Sequence, residues 1–421
     1  MKRLILILLV VLSGLSSIYA QTDPAQIALN SVPEAMPLVN SGDDDLMNIL
    51  LLGSDTTNPE NSGRTDVLMV VSINRTHNAV ALLSIPRDLY VYVPDVGMKR
   101  INTAYGLGET LVEGTGAQLL MDTIEYNLGL SIDRYARVDF IGFKQIVDAL
   151  GGLQVPVDCA IQDWRLREPD LDPAIEDNWE MFTLPIGMQN MDGDLALWYV
   201  RSRRTSSDID RGQRQQDVVR ALWQHVRDLG LMSQVTDLWP QLVTIVETDI
   251  LLPEMLNLIP LVLSMDSTQV SSFTFHLNED VLDRLSDEGE QVLVPQRETV
   301  HELMQNFLIP PTENQVTSEW LTIKITNATG NEDLDNVIAN RVVSHGFVPV
   351  LSDEMVNSSQ ATQIIVYTGR TKGSRLGELQ KLFRVGDEQV SHQPDAARLY
   401  DYEVILGLSF YACTRNVMPP A

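Results

Sequence analysis

At 421 residues, with 57 acidic against 30 basic side chains and a net charge of −27, the chain exceeds a single typical core and implies two domains. So acidic a balance excludes a general nucleic-acid binder, which would present a basic face. Any anion must be held locally, by a positive pocket or through a divalent cation.

The chain opens with Lys2 and Arg3, an apolar run from Leu4 to Leu12, and smaller residues ending at Ala20. That layout predicts a secretory signal over residues 1–20, or an uncleaved anchor if the span extends through Tyr19. The bulk of the protein is then extracytoplasmic, secreted or at the outer face of the cytoplasmic membrane. Export permits a disulfide between Cys159 and Cys413, the only two cysteines; two independent thiols are the alternative. Residues 21–46 are aperiodic, with an acidic run at Asp43–Asp45, and predict a flexible spacer.

Structure is expected to begin at Asn48–Gly53 (NILLLG), whose unbroken apolar run suits a strand buried on both faces. Asp66–Ile73 and Val80–Ile85, separated by a polar turn, predict a hairpin in the middle of the sheet. Leu119, Leu120, Thr123, Ile124, Asn127 and Leu128 mark a helix stopped at Gly129. Phe143, Ile146, Val147 and Leu150 mark another, stopped at Gly151 and Gly152. This alternation indicates a layered α/β domain over residues 47–308. Asp158–Asp177 is acidic and aperiodic and predicts a surface loop; Met191–Tyr199 predicts a short helix delivering Arg201 and Arg203. Leu231–Phe307 is expected to be mostly helical, with one strand near Val270–Phe275. Residues 309–320 are a linker, and residues 321–416 repeat a smaller α/β pattern.

Val200–Gln216, VRSRRTSSDIDRGQRQQ, concentrates five arginines in an acidic protein. A helical apolar stripe through Val218, Leu222 and Val226, extended backwards, reaches Gln215 and Arg211. An inward arginine at a helix start calls for an anionic partner. Asp208, Asp210 and Asp217 are the mundane candidates, a bound anion the functional one. Two further segments place charge at strand ends: Asp55 with Arg64 and Asp66, and Arg87 with Asp88. Taken singly, Asp55 reads as a turn cap and Arg87 as a salt bridge to Asp88. Together they predict a site in which a hard cation between Asp55 and Asp66 bridges phosphate oxygens and arginine forks take the rest. Arg201 and Arg203, two apart on an extended turn, point the same way, with Arg204 pointing away. The six histidines show no HExxH spacing, and there is neither GxSxG nor a Walker loop.

NILLLGSD, SGRTD, SIPRD, RINTAYGLG, FIGFKQIVDALGG, DGDLALWYVRSR and DIDRGQRQQ, in this order over roughly Asn48–Phe307, resemble the LytR-CpsA-Psr proteins. ITNATG, ANRVVSHGF and VILGLSF within Leu321–Cys413 resemble the C-terminal domain often appended to them. The resemblance implies an α-β-α sandwich with a mixed central sheet plus a smaller C-terminal α/β domain. It also implies an exported, magnesium-dependent phosphotransferase that moves a glycopolymer from a polyprenyl pyrophosphate carrier onto peptidoglycan. By motif, Asp55 and Asp66 correspond to the Mg2+ ligands, and Arg64, Arg87, Arg201, Arg203, Arg211 and Gln215 to the pyrophosphate-binding groups. Arg100 stands where the family often has lysine. Arg64, Arg87, Asp66 and Asp88 are the expected catalytic set, with Asp66 or Asp88 as general base. An apolar pocket for the lipid tail is expected from Ile124, Leu128, Phe140, Phe143, Ile146, Val147 and Leu222. The rival functions are a polyprenyl pyrophosphate hydrolase, with water as acceptor, and a secreted binding module without turnover.

Overall fold

The computed structural model describes residues 31–40, 42–55, 63–204, 207–265, 267–308, 321–331, 333–352, 361–369 and 374–410. The expected signal segment, the whole of the expected linker and Cys413 lie outside them. The chain first builds β1 (Leu46–Ser54), β2 (Thr65–Asn74) and β3 (Ala79–Ser84), then the small hairpin β4 (Tyr90–Val93) and β5 (Gly97–Arg100). Two helices follow, α1 (Ala104–Leu111) and α2 (Gly116–Leu128). Next come β6 (Arg134–Asp139), α3 (Phe140–Ala149), β7 (Leu153–Val157), β8 (Ile161–Leu166), β9 (Trp179–Leu184) and β10 (Gly187–Met191). Helices α4 (Gly193–Arg201), α5 (Asp208–Asp228) and α6 (Val235–Ile245) lead to β11 (Val246–Thr248), α7 (Leu252–Ser264) and β12 (Val270–Thr274). The hairpin β13 (Val281–Leu285) and β14 (Gln291–Pro295) and helix α8 (Arg297–Leu308) complete the first domain.

The central sheet has the order β11-β6-β1-β2-β3-β12. It is mixed: β1 runs antiparallel to β2 and parallel to β6, and β3 runs antiparallel to β2 and parallel to β12. The apolar run of β1 is continuous because both its faces are covered. Leu50 and Leu52 enter a core shared with α1, α2 and α8, while Met47 and Ile49 enter a second core shared with α7. The predicted α-β-α sandwich and central hairpin are therefore present.

Three expectations give way. The predicted loop at 158–177 contains β8, which pairs antiparallel with β9 as a half-exposed ribbon. Its side chains carry no alternation because both faces meet solvent. Within Leu231–Phe307, β11 and the β13–β14 hairpin interrupt the helices. The third correction concerns the spacer, whose end is part of the fold. Met36 is 6 % exposed in the main core, its N–H donates to Tyr126 O (2.8 Å), and the Val39 N–H donates to Gly129 O (2.9 Å). Arg297 holds the Glu34 and Ala35 carbonyls from the other side. Gly129, at φ +67°, ends α2, and a Cβ there would collide with the Pro37 carbonyl. Gly129→Ala is accordingly expected to cost about 2 kcal/mol in urea unfolding, from the left-handed backbone plus the displaced strand. A loss below about 0.5 kcal/mol, the range of ordinary surface changes, would show that this segment does not bear on stability.

The second domain comprises β15 (Thr322–Asn327), α9 (Leu334–Ser344), β16 (Val348–Leu351), β17 (Gln363–Val366), α10 (Leu376–Phe383), β18 (Val390–His392) and β19 (Tyr402–Leu406). Its sheet order is β16-β15-β19-β17-β18, with its own core beneath α9 and α10. Asp158 pairs with Arg341 of α9, and Ile186 packs on the second core, so the domains touch along β7–β10. Cys159 lies at the same edge and is disulfide-bonded.

Candidate functional site

The geometry follows from strand direction. β1 and β3 run parallel to each other, so Asp55, just past β1, and Arg87 with Asp88, just past β3, emerge at one end of the sheet. β2 begins at that end, since Ser54 pairs with Thr65, and so supplies Asp66. The β1–β2 register shifts between Gly53 and Ser54, immediately before Asp55. Helix α5 starts over the same strand ends. A capping box of Ser207 and Asp210 fixes its first turn, and the Ser84 hydroxyl donates to Gly212 O (3.1 Å).

A small cleft lies there, lined by Asp66, Arg87, Asp208, Arg211, Gly212 and Gln215 among others. Arg87 is its centre. One terminal N–H donates to Asp66 Oδ1 (2.7 Å), while Nε lies 3.5 Å from Asp88 and 3.6 Å from Asp208. Arg211, 4 % exposed, pairs with Asp208 at 3.0 Å, and burial pulls its guanidinium down to about 10 against the hold of Asp208. Arg201 reaches Asp55 (3.8 Å) and Arg203 reaches Asp66 (4.0 Å). Arg201 also stacks 4.1 Å above the Phe140 ring. Loss of solvent and the like charge of Arg203 lower its pKa against the pull of Asp55 and Asp66, so one guanidinium senses both expected metal ligands.

Asp88 and Asp208 form a hydrogen-bonded carboxyl pair. Burial and that bond raise Asp88; for Asp208 the upward push of burial is outweighed by Arg211, the same bond and Arg87, and its pKa falls.

The remaining expected residues divide. Gln215 lines the cleft, but its amide also donates to Val200 O (3.3 Å), bracing the end of α4. Arg100 stands one remove away: it lies 3.7 Å from Asp88 and 3.4 Å from Glu290 and donates to Gln291 O, so β14 occupies it. Arg64 is exposed and has no ion pair among the described residues. Arg204 turns away, donating to Met181 Sδ (3.6 Å), as the alternation predicts.

The residues expected to line a lipid pocket fall into two apolar clusters. Ile124 and Leu128 are fully buried beneath α2 in the main core, whereas Phe143, Val147 and Leu222 belong to a separate cluster between α3, α4, α5 and β7. Ile146 is half-buried, and Phe140 is buried beneath Arg201. α2 packs on α1, α8 and β4 while α3 packs on α4 and β6, which separates the two sets.

Two residues central to the geometry escape the sequence argument. Arg214, 5 % exposed, donates to Tyr199 O and to Ser202 O (2.6 Å), and so fixes the turn that carries Arg201 and Arg203. A four-residue step back from Val218 reaches it. Asp208, considered only as a neutralising charge, binds both Arg87 and Arg211. Asp210 serves the cap, and Asp217 faces Asp158, Arg220, Arg341 and Arg214 instead, with burial pushing it up to about 7.

Residues 16–307 match the model of the LytR_cpsA_psr family. A polyisoprenyl-teichoic acid–peptidoglycan teichoic acid transferase, TagU of Oceanobacillus iheyensis, is 31 % identical over 258 residues, covering 59 % of this chain and 75 % of that one. TagT of Bacillus subtilis, with the same activity in its name, is 28 % identical over 55 % of this chain and 68 % of its own. The crystal structure of B. subtilis TagV superimposes with a TM-score of 0.52 at 23 % identity, covering 63 % of this chain and 97 % of that one, which establishes the shared fold.

Proposed function

The chain belongs to the LytR_cpsA_psr family, and on that footing we propose that it is an extracytoplasmic phosphotransferase moving a glycopolymer from a polyprenyl pyrophosphate carrier onto peptidoglycan. The observation that carries this reading is the meeting of Asp55, Asp66, Arg87, Arg201, Arg203 and Arg211 at one end of the sheet. Arg201 and Arg203, each about half exposed, are placed to take pyrophosphate oxygens with their planar forks. Arg87 and Arg211 offset the carboxylates at the base of the cleft.

Asp55 and Asp66 suit a hard cation in their chemistry, being oxygen donors only. Among the described residues no group of three or more His, Cys, Asp or Glu side chains could cage a metal. That fits magnesium, which keeps several ligands from water and substrate phosphate. When bound, the cation would neutralise charge on the pyrophosphate oxygens.

In the reaction, an acceptor sugar hydroxyl attacks the glycan-side phosphorus. A phosphodiester forms there, and the bond to the polyprenyl phosphate oxygen breaks. The departing phosphate takes the negative charge, which Arg201 and Arg203 stabilise. The hydroxyl proton passes to a carboxylate of the cleft, Asp66 or Asp88, acting as general base.

The test is transfer by purified protein from a polyprenyl pyrophosphate-linked glycan onto peptidoglycan, with the phosphodiester product measured. Free glycan phosphate in place of that product would mean hydrolysis, and an intact donor would mean binding alone. Chelation with EDTA is expected to lower the rate at least about tenfold, restored by magnesium, because the arginines neutralise only part of the charge. Undiminished turnover in EDTA would remove the cation from the mechanism.

A further inference from the structure

Helices α6 and α7 present an apolar surface that the first core does not use. Not one residue of α6 (VTDLWPQLVTI) is buried. Leu238 and Val243 on α6, and Leu256 and Leu263 on α7, are 37–48 % exposed; Leu251 between them is 60 % exposed. The two helices pack on each other.

The segment is also poor in cationic side chains. From Asp228 through Asp283 the sequence has neither lysine nor arginine. Its carboxylates beside the sheet edge are paired: Glu254 with Arg134 (2.6 Å), Glu247 with Arg137 (2.7 Å), and Asp249 with the Tyr135 N–H (2.8 Å). Exposed apolar area of this kind marks a contact surface.

It is continuous with the phosphate cleft. α6 closes on α3 where Gly142 has no side chain; a Cβ there would lie 2.7 Å from Ile245 Cγ2. Beside that contact Ile141 is 50 % exposed. Its neighbour Phe140 lies under Arg201, which reaches Asp55. Aliphatic surface thus runs from the rim of the cleft onto α6 and α7.

We propose that the outward face of α6 and α7 docks on the outer leaflet of a lipid bilayer, with the phosphate cleft facing a donor still embedded in it. The orientation rests on the reading above; the docking itself does not. At 11 and 13 residues the helices are too short to span a membrane and would lie along its surface. A second copy is a poorer occupant, since pairing two chains of −27 brings like charge together, whereas a zwitterionic surface imposes no such cost. With no lysine or arginine on α6 or α7, attachment is apolar in origin and gains nothing from anionic lipid.

The experiment uses the full chain with its disulfide intact, carrying an environment-sensitive fluorophore on Val243→Cys, on Leu263→Cys, or on Leu399→Cys of the second domain, which is 81 % exposed in the native chain. Phosphatidylcholine vesicles should raise and blue-shift the emission several-fold at 243 and 263 and leave 399 unchanged. Adding phosphatidylglycerol should not strengthen the response. Any membrane tether elsewhere acts equally on all three proteins, so the difference between sites is the readout. No response at 243 and 263, or an equal one at 399, overturns the proposal. So does a response that follows protein concentration without vesicles, which marks self-association. No donor is present, so failure here leaves the transferase reading standing. Absence of transfer with an intact response would do the reverse.

Discussion

Replacing Arg201 by lysine is expected to slow transfer roughly a hundredfold, about 3 kcal/mol, while the unfolding midpoint stays where it is. The side chain is 52 % exposed and its nearest carboxylate, on Asp55, is 3.8 Å away, so the fold draws little from it. What it holds is geometry. The guanidinium plane is set by the Phe140 ring beneath it, and the turn behind it is tied by Arg214 to two carbonyls. Lysine keeps the charge but loses the planar fork that meets two phosphate oxygens at once. Arg203→Lys should show a similar loss, because Arg203 faces Asp66 across the same cleft. Arg204→Lys is the control: its side chain lies on Met181, and exposed charges contribute on the order of 0–1 kcal/mol. Transfer rates and thermal melts on the three variants decide the matter. Equal losses at 203 and 204, or none at 201, would show that side-chain direction is not what matters.

Much of this geometry is legible in the sequence, and the reason is burial. β1, β2 and β3 are covered on both faces, so their apolar runs are unbroken and their charged ends stand out. The site inherits that clarity, because Asp55, Asp66 and Arg87 are the first charges after or before those runs. Where burial is partial the pattern fades. Gln162, Asp163 and Arg165 of β8 lie in a ribbon whose packing comes from distant groups, such as Phe182 edge-on to Trp198 (5.2 Å). The docked end of the spacer rests on a single methionine and a few backbone hydrogen bonds, which leave no periodicity to read. The residues expected for the lipid pocket divide between two cores for a related reason. Ile124 and Val147 look alike as apolar positions on helices, and only the packing of α2 on α1 and β4 and of α3 on α4 separates them. Arg64 shows the complementary limit: a motif fixes its place in the chain, but its exposed side chain is positioned by no ion pair among the described residues.

Arg87→Met is expected to bring transfer below detection and to destabilise the protein by about 3 kcal/mol at neutral pH. Methionine retains the length and the apolar stem, so packing is largely kept. The guanidinium it removes stands among three carboxylates, at 2.7 Å from Asp66, 3.5 Å from Asp88 and 3.6 Å from Asp208. Arg211 would still hold Asp208 and Arg100 would still approach Asp88, but nothing comparable would replace the contact to Asp66. Uncompensated carboxylates at such distances raise one another's pKa, and Asp88 already starts high through burial and its bond to Asp208. The sign of the pH dependence follows. A carboxyl group whose folded pKa lies above its unfolded one destabilises the fold at pH values above the folded pKa. The penalty disappears as pH falls below the unfolded value, near 4. The difference between variant and native chain should therefore be full at about pH 8 and shrink toward about pH 4.5, where protonated carboxyls no longer need the arginine. Urea unfolding of both proteins at the two pH values measures it. A difference that stays constant, or grows in acid, would place the cost in packing and not in charge.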